Sequence, residues 1–167
     1  MTKAELKEFL DEKVNQYNNP NFIETDPIQI PHQFSLKEDI EIAGFLTSTI
    51  AWGNRKMIIN NAKRMMEMMG NTPHDFVMSH TEYDLERLET FVHRTFNSGD
   101  FKTFIVALQH IYTHHGGLET VFAKHQQKDT MQSAIAEFKK VFFEVSHLQR
   151  TTKHVSAVDG TTRQQWC

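Results

Sequence analysis

Apolar positions recur at helical spacing along most of the chain. Near its start, five apolar residues fall on one face of an amphipathic helix predicted over residues 3–17: Leu6, Phe9, Leu10, Val14 and Tyr17. The next stretch contains Pro20, Pro27 and Pro31. A proline disfavours helix in the residue before it. We therefore expect an extended, irregular connector here.

The second predicted helix, residues 36–51, is apolar nearly all round. Residues 42–51 carry no charge, so this helix is expected to lie at the centre of the fold and to be contacted on several sides. Ser35 and Glu38 have the spacing of a capping box, in which each side chain accepts a hydrogen bond from the other residue's backbone N–H.

A turn and a basic helix follow. Gly53 suits the turn and Asn54 suits the cap of the next helix, which Gly70 is expected to end. One face of this helix is apolar and rich in methionine, and that face is expected to pack into the core: Ile58, Ile59, Ala62, Met65, Met66 and Met69. Its outer face carries four cations, Arg55, Lys56, Lys63 and Arg64, against the single anion Glu67.

The rest of the chain predicts further helices and no strand. Expected starts are Thr72-Pro73, Thr81, Asp100, Leu118 and Thr130, and residues 93–99 form a polar loop. We predict an all-α fold, a single orthogonal domain of about seven helices over residues 1–145. Residues 146–167 lack a helical pattern and are predicted to form an irregular tail.

Composition narrows the class of protein. The net charge of −3 disfavours a whole-surface attraction to nucleic acid, so an anion site must be a local patch. The only cysteine is Cys167, which excludes a disulfide framework and a thiolate cluster. No apolar run approaches the roughly 20 residues that span a bilayer. The chain is therefore predicted to be cytoplasmic, with no membrane partner.

The turn between the two central helices is the strongest candidate for ligand binding. Trp52 can stack on a nucleic-acid base, and Arg55 and Lys56 at a helix N-terminus can hold a phosphate. The alternative is that Trp52 only closes the core and Asn54 only caps the helix. A second candidate is the loop of residues 93–97, which contains Arg94 and Asn97 and carries the same alternative.

Histidines offer a weaker chemical signal. His110 and His114 stand four residues apart, a spacing that can place two imidazoles on one metal ion. The local sequence supplies no third ligand, so we favour the alternative that they are polar surface residues in the last turn of a helix. We predict no cofactor, no bound metal and no catalytic residue.

Four stretches resemble an uncharacterised bacterial family of conserved hypothetical proteins, a domain of unknown function: IEIAGFLTSTIAWGNRK, NTPHDFVMSH, FVHRTFNSGD and IYTHHGGLETVF. The resemblance covers residues 15–156, and residues 157–167 do not resemble the family.

A remoter similarity links the stretch FLTSTIAWGNRKMIINNAKRMME to helix-hairpin-helix DNA glycosylases. Thr47, Ser48 and Thr49 fall where those enzymes carry Ser-Gln-Gln-Thr. The resemblance implies a glycosylase-like N-terminal part, DNA as the partner and a role in DNA repair. In longer relatives the DNA-gripping hairpin and the catalytic Asp lie further along the chain, so we expect this chain to be incomplete and inactive by itself.

Three functional hypotheses follow. The first is a truncated glycosylase-like protein that binds DNA through Trp52, Asn54, Arg55, Lys56, Lys63, Arg64, Arg94 and Asn97. The second is a helical protein–protein interaction module with no nucleic-acid role, indicated by the methionine-rich helix of residues 55–69, with self-association through exposed apolar surface. The third is a histidine-based metalloenzyme.

Overall fold

Helix α1 spans Lys3–Tyr17, as predicted. The structure is a computed structural model that describes residues 1–127 and 130–156. Thr2 caps α1 in a capping box with Glu5. The predicted apolar face is not buried: its five side chains, Leu6, Phe9, Leu10, Val14 and Tyr17, are 40–54 % exposed.

The connector after α1 is helical rather than extended. Helix α2 spans Pro20–Ile23, and short 3-10 helices span Pro27–Gln29 and Pro31–Gln33. Each proline occupies the first position of its turn, where its fixed φ suits a helix and its missing N–H costs nothing. The residues before these prolines that take an extended conformation, such as Asn19 and Asp26, are helix caps. The prediction of an extended connector was therefore wrong.

Helix α3 spans Lys37–Thr49 and is central, as expected. Ile42, Ala43 and Leu46 are fully buried. The predicted capping box is absent, because the helix begins one residue later and Leu36 takes the cap position without a side-chain hydrogen bond.

The next helices follow the predicted order. Helix α4 spans Arg55–Met68, α5 spans Pro73–Ser79, and α6 spans Glu82–Glu86 and continues into a 3-10 turn at Arg87–Thr90. The Asn54 side chain caps α4 by accepting from the Met57 N–H at 3.1 Å. Most of the predicted inner face is buried, including Met65, Met66 and Met69, so the methionines belong to the core.

A small β-hairpin replaces the predicted polar loop. Strands β1 (Val92–His93) and β2 (Phe96–Asn97) pair antiparallel, with His93 opposite Phe96. Arg94 takes a left-handed backbone conformation in the turn, with φ of 53°. Strands of two residues are too short to produce an alternating pattern, which explains why none was predicted.

Helix α7, Ser98–His114, is the second central element. It is followed by α8 (Leu118–His125), α9 (Gln132–Phe142) and a 3-10 helix at Gln149–His154. Neither Asp100 nor Thr130 occupies the predicted cap position, which belongs to Asn97 for α7 and to Met131 for α9. The core contains a cluster of rings that joins α3, α7 and α9: Phe45, Phe104, Phe138 and Phe142.

The described residues thus form a mostly helical fold, which confirms the all-α prediction at that level. Part of the segment predicted to be an irregular tail is structured, since the Gln149–His154 turn carries the fully buried Thr151. The rest of that segment, residues 157–167, lies outside the described residues. Among residues 1–127 and 130–156, no helix combines the length and apolar character needed to cross a membrane.

Candidate functional site

A cleft of about 530 Å³ opens between the C-terminal end of α3, the hairpin, α8, α9 and the last 3-10 helix. This volume falls within the usual range of ligand sites, about 300–1,000 Å³. One part of its wall is apolar and largely aromatic: Phe45, Phe122, Ile135 and Phe138. The other part is polar or amphipathic and includes Ser48, Trp52, Thr95, Lys153 and His154. An aromatic wall beside a cation suits a flat ligand that carries negative charge.

Trp52 and Arg94 form a stacked pair at this cleft. The guanidinium carbon of Arg94 lies 4.5 Å from the centre of the Trp52 ring, within cation–π distance. Gly53 makes the pair possible. Its φ is 109°, and a Cβ at this position would lie 2.7 Å from Nη1 of Arg94. A larger residue at position 53 would therefore displace the guanidinium.

His93 supports Trp52 from the side. Its ring meets the Trp52 ring edge to face, with 5.8 Å between centroids. Nδ1 of His93 hydrogen-bonds the side-chain amide of Asn61 on α4 at 2.8 Å. The His93 residue is only 2 % exposed, and this burial lowers its pKa; contact with the Trp52 backbone opposes the shift only in part. His93 thereby links α4, the hairpin and the Trp52 turn.

A buried carboxylate fixes the last 3-10 helix, which forms part of the cleft wall. Asp100 is fully buried in the first turn of α7. Its Oδ1 accepts from Thr151 Oγ1 at 2.7 Å, and its Oδ2 accepts from the Asn97 N–H at 3.0 Å. Oδ2 also lies 3.3 Å from Nη2 of Arg150 and 3.4 Å from Nε2 of His154. The last 3-10 helix is therefore held against α7.

This anchoring places His154 and Lys153 beside the cleft. Burial lowers the pKa of His154, and the positive charges of Lys153 and Arg150 lower it further. The negative charge of Asp100 opposes this shift. Arg150 also donates to the Thr95 carbonyl at 2.8 Å, which ties the hairpin to the same turn. The hairpin and the last 3-10 helix thus form one continuous wall of the cleft, which α7 supports from behind through Asp100.

The structure brings some of the predicted site residues together, whereas others contact neighbouring residues of the fold. Trp52 lines the cleft, and Arg94 lies over its ring. Arg55 lies 4.0 Å from the carboxylate of Asp26 and over the ring of Phe22. Arg64 donates to the Thr90 carbonyl at 2.9 Å.

The two predicted amides are helix caps. Asn54 caps α4, and Asn97 caps α7 through its side-chain oxygen, which accepts from the backbone of Gly99 and Asp100. Lys56 and Lys63 are exposed on α4. The basic face of α4 therefore consists of two exposed lysines and of two arginines that already contact other residues of the chain.

Sequence reasoning missed Lys153 and His154 as residues that line the cleft. Lys153 and His154 stand in a segment without helical periodicity, and nothing local indicated that the segment returns to α7. Asp100 was predicted only as a cap, although a buried carboxylate needs partners from elsewhere in the chain. The resemblance over residues 150–156 was the one signal that this segment belongs to the fold.

The described residues form a mostly helical fold with an aromatic-lined cleft of the size of a ligand site. Residues 26–165 match the family described as a protein of unknown function, DUF2400, and because this is most of the chain, the chain belongs to that family. The match runs to residue 165, so the expectation that the resemblance ends at residue 156 was wrong. No curated protein and no solved structure is significantly similar to the chain.

Proposed function

We propose that this protein binds DNA and takes an unpaired base into the cleft beside Trp52. The observation that carries the proposal is the stacked Trp52–Arg94 pair at the edge of an aromatic-lined cleft. Bases stack on aromatic rings and on guanidinium planes, and one such contact contributes about 1–3 kcal/mol. The apolar wall formed by Phe122, Ile135 and Phe138 suits the face of a base.

Local charge supports an anionic ligand. The chain as a whole has a net charge of −3, so attraction to phosphate must come from a patch. Helix α4 starts directly after the Trp52 turn and carries the four cations predicted as phosphate contacts. Lys153 lines the cleft itself. A strand whose base enters the cleft would therefore meet positive charge from both α4 and Lys153.

The remote similarity to helix-hairpin-helix glycosylases is part of the same proposal. It is supported by Ser48 and Thr49, which carry that similarity and border the cleft next to Trp52. We propose binding without base excision, so DNA incubated with the protein is expected to be recovered with every base in place.

Fluorescence anisotropy with labelled single-stranded DNA, fully paired duplex and duplex with one unpaired base tests the proposal. Affinity is expected to fall as salt rises, because bound lysines and arginines release counterions. Trp52→Ala is expected to weaken binding of single strands and of the unpaired base by about 10- to 100-fold, through loss of stacking. It should change duplex binding much less.

Charge variants separate the cleft from the patch. Lys63→Ala is expected to weaken all three DNAs alike and to reduce the salt slope by about one. Lys3→Ala is the matched control, because it removes one exposed cation from α1, away from the cleft. The proposal is wrong if Trp52→Ala binds as tightly as the unmodified protein, or if affinity does not depend on salt.

A second candidate function is self-association through α1, a form of the protein–protein interaction hypothesis. The buried methionines of α4 no longer support that hypothesis, but the exposed apolar face of α1 does. Residues 3–17 carry three cations and four anions, so two copies of α1 would repel each other only weakly. We therefore propose a second copy of the chain as the partner.

Light scattering during size-exclusion chromatography tests this candidate. Leu10→Glu puts a charge in the middle of the apolar face and is expected to turn a dimer into a monomer. Asn15→Glu adds the same charge on the opposite face and should leave the dimer intact. A monomeric unmodified protein at all concentrations would rule the candidate out.

A further inference from the structure

Three side chains at the C-terminal end of α7 converge on one point. Nε2 of His110 lies 2.8 Å from Oε2 of Glu144, and Nε2 of His115 lies 3.1 Å from the same oxygen. The two Nε2 atoms are 3.3 Å apart. We propose that His110, His115 and Glu144 bind a divalent transition-metal ion, with Zn²⁺ as the best match to these ligands.

The distances fit an ion in contact with all three atoms. A triangle with these sides leaves room for an ion about 1 Å out of its plane and about 2.1 Å from each ligand atom, which is the usual distance for Zn–N and Zn–O bonds. A shared cation also explains why two imidazole nitrogens approach each other so closely. The lone pairs of both rings and of the carboxylate would then point at one positive charge.

The fold builds this arrangement from two helix ends. His110 lies in the last full turn of α7, and His115 is the residue that ends the helix. Gly116 and Gly117 then turn the chain through positive φ angles of 76° and 97°. Glu144 follows α9, which packs on α7 through the Phe104–Phe142 ring contact at 4.7 Å. The aromatic core therefore sets the separation of the ligands.

The choice of ligands indicates which metals fit. Two imidazoles and one carboxylate suit Zn²⁺, Fe²⁺, Co²⁺ or Ni²⁺, whereas Mg²⁺ and Ca²⁺ prefer ligand sets made of oxygen. The side chains of His110, His115 and Glu144 are 26 %, 28 % and 46 % exposed. A fourth coordination position is thus open to water. The partial negative charge at the end of α7 further favours a cation.

The site differs from the histidine pair that the sequence indicated. The ring of His114 lies 4.9 Å from the ring of His110, but His114 is exposed and does not belong to the converging group. The partner of His110 is His115, one residue further along. The ligand that the sequence lacked, Glu144, comes from 34 residues away along the chain. A bound ion would clip the end of α7 to the end of α9, at the opposite end of α7 from Asp100.

Titration of untagged protein with Co²⁺ tests the proposal, because coordinated Co²⁺ has visible absorption bands. One equivalent is expected to bind, and Zn²⁺ is expected to displace it. Zn²⁺ should also raise the melting temperature, since a ligand that binds only the folded state stabilises it. Mg²⁺ at the same concentration is expected to have no such effect.

Variants decide whether these residues are the ligands. His115→Gln and Glu144→Gln are expected to lower the affinity for Zn²⁺ by about 100-fold or more. Even the loss of a residue that only hydrogen-bonds a metal ligand typically lowers metal affinity about 10- to 100-fold. His114→Gln and His125→Gln are the matched controls and should bind as the unmodified protein does. Glu144 is half exposed, so Glu144→Gln is expected to keep the far-ultraviolet circular dichroism of the folded chain.

Two results would overturn the proposal. One is binding of Co²⁺ that Glu144→Gln leaves unchanged, which would show an adventitious ion only. The other is equal loss in the His114→Gln control, which would show that histidines in general attract the metal. Both readouts are independent of DNA binding, so this inference can fail while the cleft proposal stands.

Discussion

Asp100 combines two roles that the sequence separates. Its position predicted a helix cap, and its carboxylate does accept from the backbone N–H of Asn97 at the start of α7. The same carboxylate, fully buried, also holds Thr151 and faces Arg150 and His154. A buried charge is stable only when it is paired and hydrogen-bonded, so these partners are a requirement of the fold.

We predict that Asp100→Asn destabilises the protein by about 2 kcal/mol or more. Asparagine has a similar shape and can still accept from Thr151 through its oxygen. Its amide nitrogen cannot accept from the Asn97 N–H, however, and has no charge to offer Arg150. Urea unfolding followed by circular dichroism measures the change.

Glu89→Gln is the matched control, because it also neutralises a carboxylate in an ion pair. Glu89 pairs with Lys102 at 3.0 Å, but its side chain is 66 % exposed. Loss of an exposed pair is expected to cost about 0.5 kcal/mol or less. If Asp100→Asn is as stable as Glu89→Gln, the buried carboxylate does not anchor the last 3-10 helix.

At the scale of elements, helix interiors were predictable and several helix starts were not. The apolar periodicities of α1, α4 and α7 predicted their extents within a few residues, because one helix face alone carries that signal. Starts depend on a single side chain and on neighbours that are distant in sequence. Ser35 caps nothing, whereas Asp39 of α3 accepts from the His74 N–H and so caps α5 at 2.8 Å. No local pattern contains that contact.

The candidate site was predictable in its parts but not in its assembly. Trp52 and Arg94 were each singled out for their chemistry, yet their stacking depends on how the hairpin packs against the turn before α4. The wall that contains Lys153 and His154 depends on the Asp100 interactions. A cleft made by five separate elements is therefore a property of packing, and packing is what a single sequence encodes least directly.

At the scale of the whole molecule, two buried histidines couple stability to pH. His93 packs between α4 and the Trp52 turn, near Arg94, and His154 lies between Asp100 and the cleft, with Lys153 and Arg150 nearby. Burial lowers the pKa of both imidazoles in the folded state. In the unfolded chain each is expected to bind a proton near pH 6.5.

We predict that the free energy of unfolding falls as the pH drops below about 6.5. In that range the unfolded chain binds protons on His93 and His154 that the folded chain does not, so acid favours unfolding. Each histidine contributes a slope of at most about 1.4 kcal/mol per pH unit, and its stabilising effect is complete above the unfolded pKa. Urea unfolding at pH 7.5, 6.5, 6.0 and 5.5 (roughly spanning the titration range of histidine) measures the slope.

His93→Gln isolates one of the two protons, because glutamine can still hydrogen-bond Asn61 but does not titrate. The variant is expected to be less stable at pH 7.5, since the smaller side chain packs less well against Trp52. Its stability should nevertheless fall more gently with acid than that of the unmodified protein. His32→Gln, which removes an exposed histidine from the connector, is the matched control and is expected to follow the unmodified protein. Parallel acid slopes for His93→Gln and the unmodified protein would show that His93 takes up no additional proton on unfolding. The packing of the Trp52 turn against the hairpin would then be independent of pH in this range.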